Sequence, residues 1–287
     1  MDAGRQGLGR ETELNALFLA PTSLVDATPL ELVAAAAAAG YDGIGLRLNA
    51  SPGLPFHPVV GNAPLVRDIR RALDDSGLEV LDVYSFYLQP ATDVRDFTPA
   101  LELGAALGAK YVLTMGDDPE WPRLADNFGR FCDAAARFGL ACAVEFAVMR
   151  PLASLAQSVR LIAESARANA VICLDPLNFV RGGGVPAEVK ALDPRLFPYA
   201  QISDGVLGPG EPDPAALGRM GPNQRRLLGE GVVPVAAILD ALPGGVPLSV
   251  ELPPAKGARP PPAEWAKVTA ENVRRFLAGY ERAGVRA

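Results

Sequence analysis

The sequence predicts a single α/β domain folded as a (β/α)8 barrel, the TIM-barrel architecture, spanning residues 1–287. Three observations lead there. Short runs rich in Val, Ile and Leu alternate with amphipathic stretches eight times over, the pattern of a parallel sheet covered on both faces. With 287 residues, 49% of them hydrophobic, the chain can bury a core suited to one barrel rather than two ordinary domains. The last four apolar runs each deliver an oxygen-bearing side chain at or near their C-terminal end, and in a parallel barrel those ends share one face.

The elements follow in order. Met1 to Glu13 reads as a loosely ordered polar extension, and Leu14–Leu19 is the first strand. Thr28-Pro29-Leu30-Glu31 opens a helix with capping-box spacing and proline at its first position, and Gly40 stops it. Gly43–Leu48 is the second strand. A loop with the only histidine, His57, leads to a helix from Asn62 that carries Leu65, Ile69 and Ala72 and is closed by Gly77. Strands three and four are Val80–Tyr84 and Tyr111–Met115, with a helix between them that runs to about Gly108. The fourth helix shows an apolar stripe at Leu124, Phe128, Phe131, Ala135 and Phe138, the spacing of a helix lying on a sheet, and this stripe is core.

The fifth strand, Leu140–Phe146, ends on Glu145, and its helix is striped at Leu155, Val159, Ile162 and Ala166. Val171–Asp175, a short helix near Pro186–Leu192, Tyr199–Gln201, a helix around Val235–Leu242, Leu248–Glu251 and a last helix with Ala266, Ala270, Val273 and Leu277 complete the count. Two loops exceed what connection needs: Asp204–Val233, dense in Gly and Pro, and Leu252–Pro262, which carries Lys256 and Arg259. Both follow strands, so both belong at the catalytic face, and the first reads as a lid that orders over ligand.

A net charge of −6 and a pI near 5.0 argue against a broad nucleic-acid or anionic-membrane surface. The expected partner is a small molecule. Cys132, Cys142 and Cys173 have no closely spaced partner and read as packed thiols of a reducing compartment. The N-terminus lacks the basic-then-apolar order of a secretory signal, and no apolar run is long enough to span a bilayer, so the expectation is a cytoplasmic protein.

A charge at the end of a buried strand is costly unless something pairs with it. Glu145, Asp175 and Glu251, with Gln201, converge on one point if the barrel forms, and three carboxylates held together call for a cation. The bland alternative is acids paired with arginines at the barrel end. Arg47, Arg150, Arg181, Arg225 and Arg226 follow strands or lie in the long loop, where arginine suits a bidentate grip on phosphate or carboxylate. Arg181, before three glycines, and Arg226, before Gly-Glu-Gly, are preferred as substrate contacts; Arg150 and Arg225 read equally well as solvated surface residues. His57 reads as a loop hydrogen-bonder to substrate or as purely structural, and Asp204 and Glu230 as orienting groups.

Glu145-Phe146, Leu174-Asp175, Gln201-Ile202-Ser203-Asp204, Arg226-Leu227-Leu228-Gly229-Glu230-Gly231 and Val250-Glu251 together resemble the sugar phosphate isomerase/epimerase superfamily, the xylose-isomerase-like barrels. The likeness covers nearly the whole chain. It implies one divalent metal ion bound by Glu145, Asp175, Gln201 and Glu251, with Glu145 and Glu251 doubling as proton carriers on opposite sides of the substrate. Gln201 stands where many relatives have histidine, as it also does in the 3-dehydroshikimate dehydratases. Asn178, a candidate substrate contact, stands where relatives often carry histidine. The all-oxygen shell favours Mn²⁺ or Mg²⁺ over Co²⁺ or Zn²⁺.

The implied activity is a metal-dependent isomerase or epimerase of a sugar, ketose or keto-polyol, working through an enediolate. A dehydratase of the inosose or 3-dehydroshikimate type needs the same metal and base and remains the alternative. A barrel that binds a sugar or a partner subunit without chemistry conflicts with an intact ligand set, while the oligomeric state, a homo-oligomer included, is left open by the sequence. Endonuclease chemistry would need several histidines and a basic groove, whereas the chain has one histidine and a net negative charge.

Overall fold

The computed structural model describes residues 15–207, 224–255 and 257–284. The expected extension 1–13, Leu14 of the first strand, most of the expected lid and Lys256 lie outside these residues. Eight parallel strands close into a barrel: β1 (Leu17–Leu19), β2 (Gly43–Arg47), β3 (Glu79–Leu88), β4 (Tyr111–Gly116), β5 (Ala141–Glu145), β6 (Ala170–Leu174), β7 (Tyr199–Ile202) and β8 (Leu248–Val250), each beside its sequence neighbours, with β8 returning to β1. The predicted fold class is the observed one.

Helices α1 (Pro29–Ala39), α2 (Ala63–Ser76), α3 (Thr98–Ala106), α4 (Trp121–Ala136), α5 (Leu155–Ser165), α6 (Pro176–Arg181), α7 (Pro186–Lys190), α8 (Val235–Ala241) and α9 (Pro262–Gly284) fill the crossovers. Local chemistry sets their ends. Thr28 and Glu31 form the capping box of α1, and Gly40 ends that helix in the left-handed region at φ +69°, a conformation glycine adopts without strain. The α4 stripe is buried as expected, except for half-buried Phe138, which lies past the end of the helix.

Two assignments need correction. In α5 the buried face is Leu155, Ser158, Leu161 and Ser165; Val159 and Ile162 flank it, and Ala166 is the left-handed cap. The serines satisfy their hydroxyls on the helix itself, Ser158 on the Ser154 carbonyl and Ser165 on that of Ile162, so they bury without a polar penalty. The segment after β6 is not a bare loop, because Asp175 caps the helix α6.

Inside the barrel, Phe18, Leu81, Tyr84, Leu113, Ala143, Cys173 and Tyr199 form a plug separate from the larger core between strands and helices. Among the described residues no helix is long and apolar enough to cross a membrane.

Beyond β7 the chain makes a two-residue antiparallel ladder, Asp204–Gly205 against Arg225–Arg226. Asp204 holds the return of this hairpin. Its Oδ2 accepts from the amides of Gly229 and Gly231, each at 3.0 Å, and its Oδ1 from those of Gly205 at 2.7 Å and Val233 at 3.0 Å. The approach is close enough that a Cβ on Gly231 would sit 2.1 Å from Asp204 Oδ1. Asp204, expected to orient groups that bind substrate, instead has both carboxylate oxygens committed to backbone amides. Hydrogen bonds to a charged group contribute about 1.5–3 kcal/mol each. Asp204→Ala should therefore raise amide exchange across residues 225–233 by about tenfold or more while barrel peptides stay protected; unchanged exchange there would remove the staple.

Candidate active site

Strand alternation places the site on top of the plug. Ala143, Cys173 and Tyr199 face the barrel interior, and side chains two residues further along each strand point the same way. Glu145, Asp175 and Gln201 follow them by two, and Glu251 follows Ser249, which lies level with Gln201 across the β7–β8 pair. All four are at most 7% exposed.

Each is held differently. Asp175 leaves the strand and caps α6, Oδ1 accepting from the Asn178 amide at 2.6 Å, with Pro176 pre-set for the first helical position. One turn into α6, the Asn178 side-chain amide donates to Glu145 Oε1 at 3.1 Å. Gln201 Nε2 donates to Glu145 Oε2 at 3.4 Å, which leaves Gln201 Oε1 buried with no donor.

The cation of this cluster is Arg225. Its guanidinium lies 2.7 Å from Asp175 Oδ2 and 3.0 Å from Glu251 Oε1, and it donates to Ser203 Oγ at 2.6 Å; Ser203 in turn donates to Asp175. Burial opposes the charge on Arg225, yet Asp175 and Glu251 drive its pKa upward. Among the described residues Glu145 has only amide partners, and burial and the repulsion of Glu251 and Asp175 push its pKa well above the ordinary carboxylate range. Burial also raises that of Glu251, with Arg225 pulling the other way and Asp175 adding to the rise.

Three buried carboxylates thus face one guanidinium. Three carboxylates and a partnerless amide oxygen form an all-oxygen donor set, and that set fits a hard divalent cation. The present arrangement is a guanidinium complex. Asp175 and Glu251 are turned to Arg225 while Glu145 is turned to two amides, and among the described residues no three acidic, histidine or cysteine groups converge as metal ligands.

The site opens into a cavity of about 450 Å³ at the barrel mouth, whose wall includes Glu145, Asn178, Arg181, Arg225, Glu251 and Arg150. Arg150 pairs with Asp117 at 2.8 Å and lies over the Tyr87 ring, 4.7 Å from its centroid. The other expected contacts lie elsewhere. Arg47 and His57 line an adjoining crevice, Arg47 donating to the Pro55 carbonyl at 2.9 Å. Half-buried Arg226 donates to the Arg225 carbonyl, so of the two neighbouring arginines the one not preferred as a substrate contact is the one inside the site.

Sequence reasoning also passed over Asp82, fully buried in the middle of β3. Its Oδ2 accepts from the Tyr199 hydroxyl at 3.0 Å while Oδ1 has no donor. Burial raises its pKa to about 7 against the pull of Tyr199, and Glu251 adds to the rise. An acid within the run Val80–Tyr84, otherwise Val, Leu and Tyr, was the available signal.

Removing one partner of a buried ion pair costs about 3–5 kcal/mol, because the other charge is left uncompensated. Arg225→Met, with no divalent ion added, should therefore be destabilised by about that amount in denaturant unfolding. A variant as stable as the parent would show that Asp175 and Glu251 do not depend on the guanidinium.

The sequence pattern of the family described as xylose isomerase-like TIM barrel matches residues 33–276. Among solved structures, the IOLI protein with a bound zinc atom is similar at TM-score 0.75 and 17% identity, covering 92% of this chain and 99% of that one. AsbF of Bacillus anthracis, a probable 3-DHS dehydratase of petrobactin synthesis, aligns at TM-score 0.67 and 16% identity over 90% and 98% of the two chains. The D-allulose 3-epimerase of a Methylomonas species, in complex with D-allulose, aligns at TM-score 0.66 and 18% identity over 92% and 97%. Against a fusion of a xylose isomerase-like barrel with 4-hydroxyphenylpyruvate dioxygenase, the match covers 90% of this chain and 42% of the other, at TM-score 0.73 and 17% identity. No curated protein sequence matches the chain. At these identities the structures speak for the fold, and the match over residues 33–276 speaks for the family: the chain belongs to the xylose isomerase-like TIM-barrel family.

Proposed function

We propose that the chain is a divalent-metal-dependent isomerase or epimerase of a sugar, ketose or keto-polyol. The observation that supports this most is the buried set Glu145, Asp175, Gln201 and Glu251, three carboxylates and an unpartnered amide oxygen at adjacent strand ends, under a cavity of about 450 Å³. That volume suits a small polyol. These four residues would hold one ion, Mn²⁺ or Mg²⁺ by the hardness of the set, and the ion would polarise a substrate carbonyl so that the neighbouring C–H becomes acidic.

The chain's own residues then move the proton. Glu145 and Glu251 both reach the cavity, from strands separated by β6 and β7, so they approach a bound substrate from different sides. One takes the proton from the carbon beside the carbonyl; the other returns a proton to the opposite face of that carbon, which inverts it, or the first returns it to the former carbonyl carbon while the hydroxyl proton of the deprotonated carbon passes to the former carbonyl oxygen, which moves the carbonyl by one carbon. Arg225 fixes the direction of Glu251, and Asn178 and Gln201 fix that of Glu145. The burial of these groups keeps bulk water from competing for the carbanion-like centre.

A second reading is dehydration, which differs only in a hydroxyl leaving group next to the deprotonated carbon. Gln201 in place of histidine favours it, by resemblance to the 3-dehydroshikimate dehydratases.

Turnover in D2O separates the readings. The isomerase or epimerase reading expects deuterium at the carbon beside the substrate carbonyl with no change of formula; a product lighter by one water moves the reading to dehydration. Glu251→Gln should lose on the order of 10²–10⁴-fold in rate, the usual worth of a positioned general base. Normal turnover by that variant, with no solvent deuterium in product or recovered substrate, would contradict the assignment.

A further inference from the structure

The mouth cavity holds a buried cation that forms no ion pair among the described residues. Arg181, the last residue of α6, is only 3% exposed and lines the cavity. One nitrogen donates to the Val206 carbonyl at 3.1 Å, Nε is buried without an acceptor, and among the described residues no carboxylate lies within ion-pair distance. The other cavity arginines are spoken for, Arg225 by Asp175 and Glu251 and Arg150 by Asp117. Burial opposes the charge on Arg181 and the repulsion of Arg225 adds to that cost, while Asp175 attracts it from beyond ion-pair distance.

The backbone fixes Arg181 in this unfavourable place. The chain turns sharply after α6 through Gly182, Gly183 and Gly184, and a Cβ on Gly184 would meet the Phe179 ring at 2.1 Å, so the turn folds flat on α6. Asp175 caps the other end of the same helix, and Asn178, one turn before Arg181, holds Glu145. A helix anchored at both ends presents Asn178 and Arg181 to one cavity three residues apart, on one face.

A buried guanidinium with no carboxylate in direct contact is expensive, and an anionic group placed beside it recovers charge-assisted hydrogen bonds. We infer that the substrate of this cavity carries an anionic group, carboxylate or phosphoryl, that Arg181 binds, at a place apart from the carbonyl and hydroxyl handled by Glu145 and Glu251. The inference deepens the proposed function and rests on its reading of the cavity as the substrate site. It narrows the substrate class from neutral sugars and polyols to sugar acids, carboxylated cyclic polyols or sugar phosphates.

The test is calorimetric binding to the full-length chain of two matched pairs: quinate against myo-inositol, and D-fructose 6-phosphate against D-fructose. The parent protein should bind at least one anionic member about tenfold or more tightly than its neutral counterpart, and the pair that shows the preference tells carboxylate from phosphoryl. Arg181→Gln should abolish the preference, and Arg181→Lys should retain part of it. Neither anionic probe binding better than its neutral partner, or Arg181→Gln keeping the parent's preference, overturns the inference. The comparison within the parent needs no variant, so a misfolded substitution cannot decide the result. Binding requires no turnover, so failure of the isotope experiment and failure of this one remain distinct.

Discussion

Mutual repulsion among Glu145, Asp175 and Glu251, buried together at one end of the barrel, is the constraint to which the surrounding structure answers. Arg225 takes two of the three carboxylates and Ser203 relays between Arg225 and Asp175. The α6 amide at Asn178 takes the other oxygen of Asp175, and the side chains of Asn178 and Gln201 take the two oxygens of Glu145. Even the Asp204 staple belongs to this arrangement, because it fixes the return of the hairpin whose second strand carries Arg225. The compensation is incomplete. Three carboxyl groups meet one guanidinium, and among the described residues an amide oxygen is left without a donor. That residue of negative potential is what a divalent ion would neutralise, while Arg181 a short way up the wall leaves positive potential for an anionic substrate group.

This division suits the chemistry proposed. The plug below the site, from Phe18 to Tyr199, is apolar apart from Asp82 and its tyrosines, so the low-dielectric floor strengthens each electrostatic contact above it. The acids come from strand ends and a capped helix rather than from long loops, so their spacing is held by barrel geometry.

The strand-end residues were legible because each closes a run of apolar residues, where an oxygen-bearing side chain stands out and period-two alternation says which way it points. What was not legible depended on contacts distant in sequence. Arg225 and Arg226 are adjacent, so they point to opposite faces of their two-residue strand, and which one enters the site is set by the register of that hairpin against Asp204–Gly205. Asp204 is visibly polar, yet nothing local announces that Gly229, Gly231 and Val233 return to donate to it. In α5 a hydrophobic stripe misled because serines that bond their own helix pack as well as small apolar residues do. The helix α6 was missed because it is six residues long and begins at Pro176, directly after the strand, where Asp175 read as a strand end rather than as a cap.

The central claim is that four oxygen-donor residues, arranged around a guanidinium in the present structure, constitute a site for one hard divalent cation. Calorimetric titration of Mn²⁺ and of Zn²⁺ into chelator-treated protein tests it directly. The account predicts saturable binding of about one ion per chain, and a Gln201→His variant in which zinc gains on manganese by about tenfold, since imidazole is the softer ligand. No saturable binding of either ion, or two to three zinc ions per chain, would contradict it.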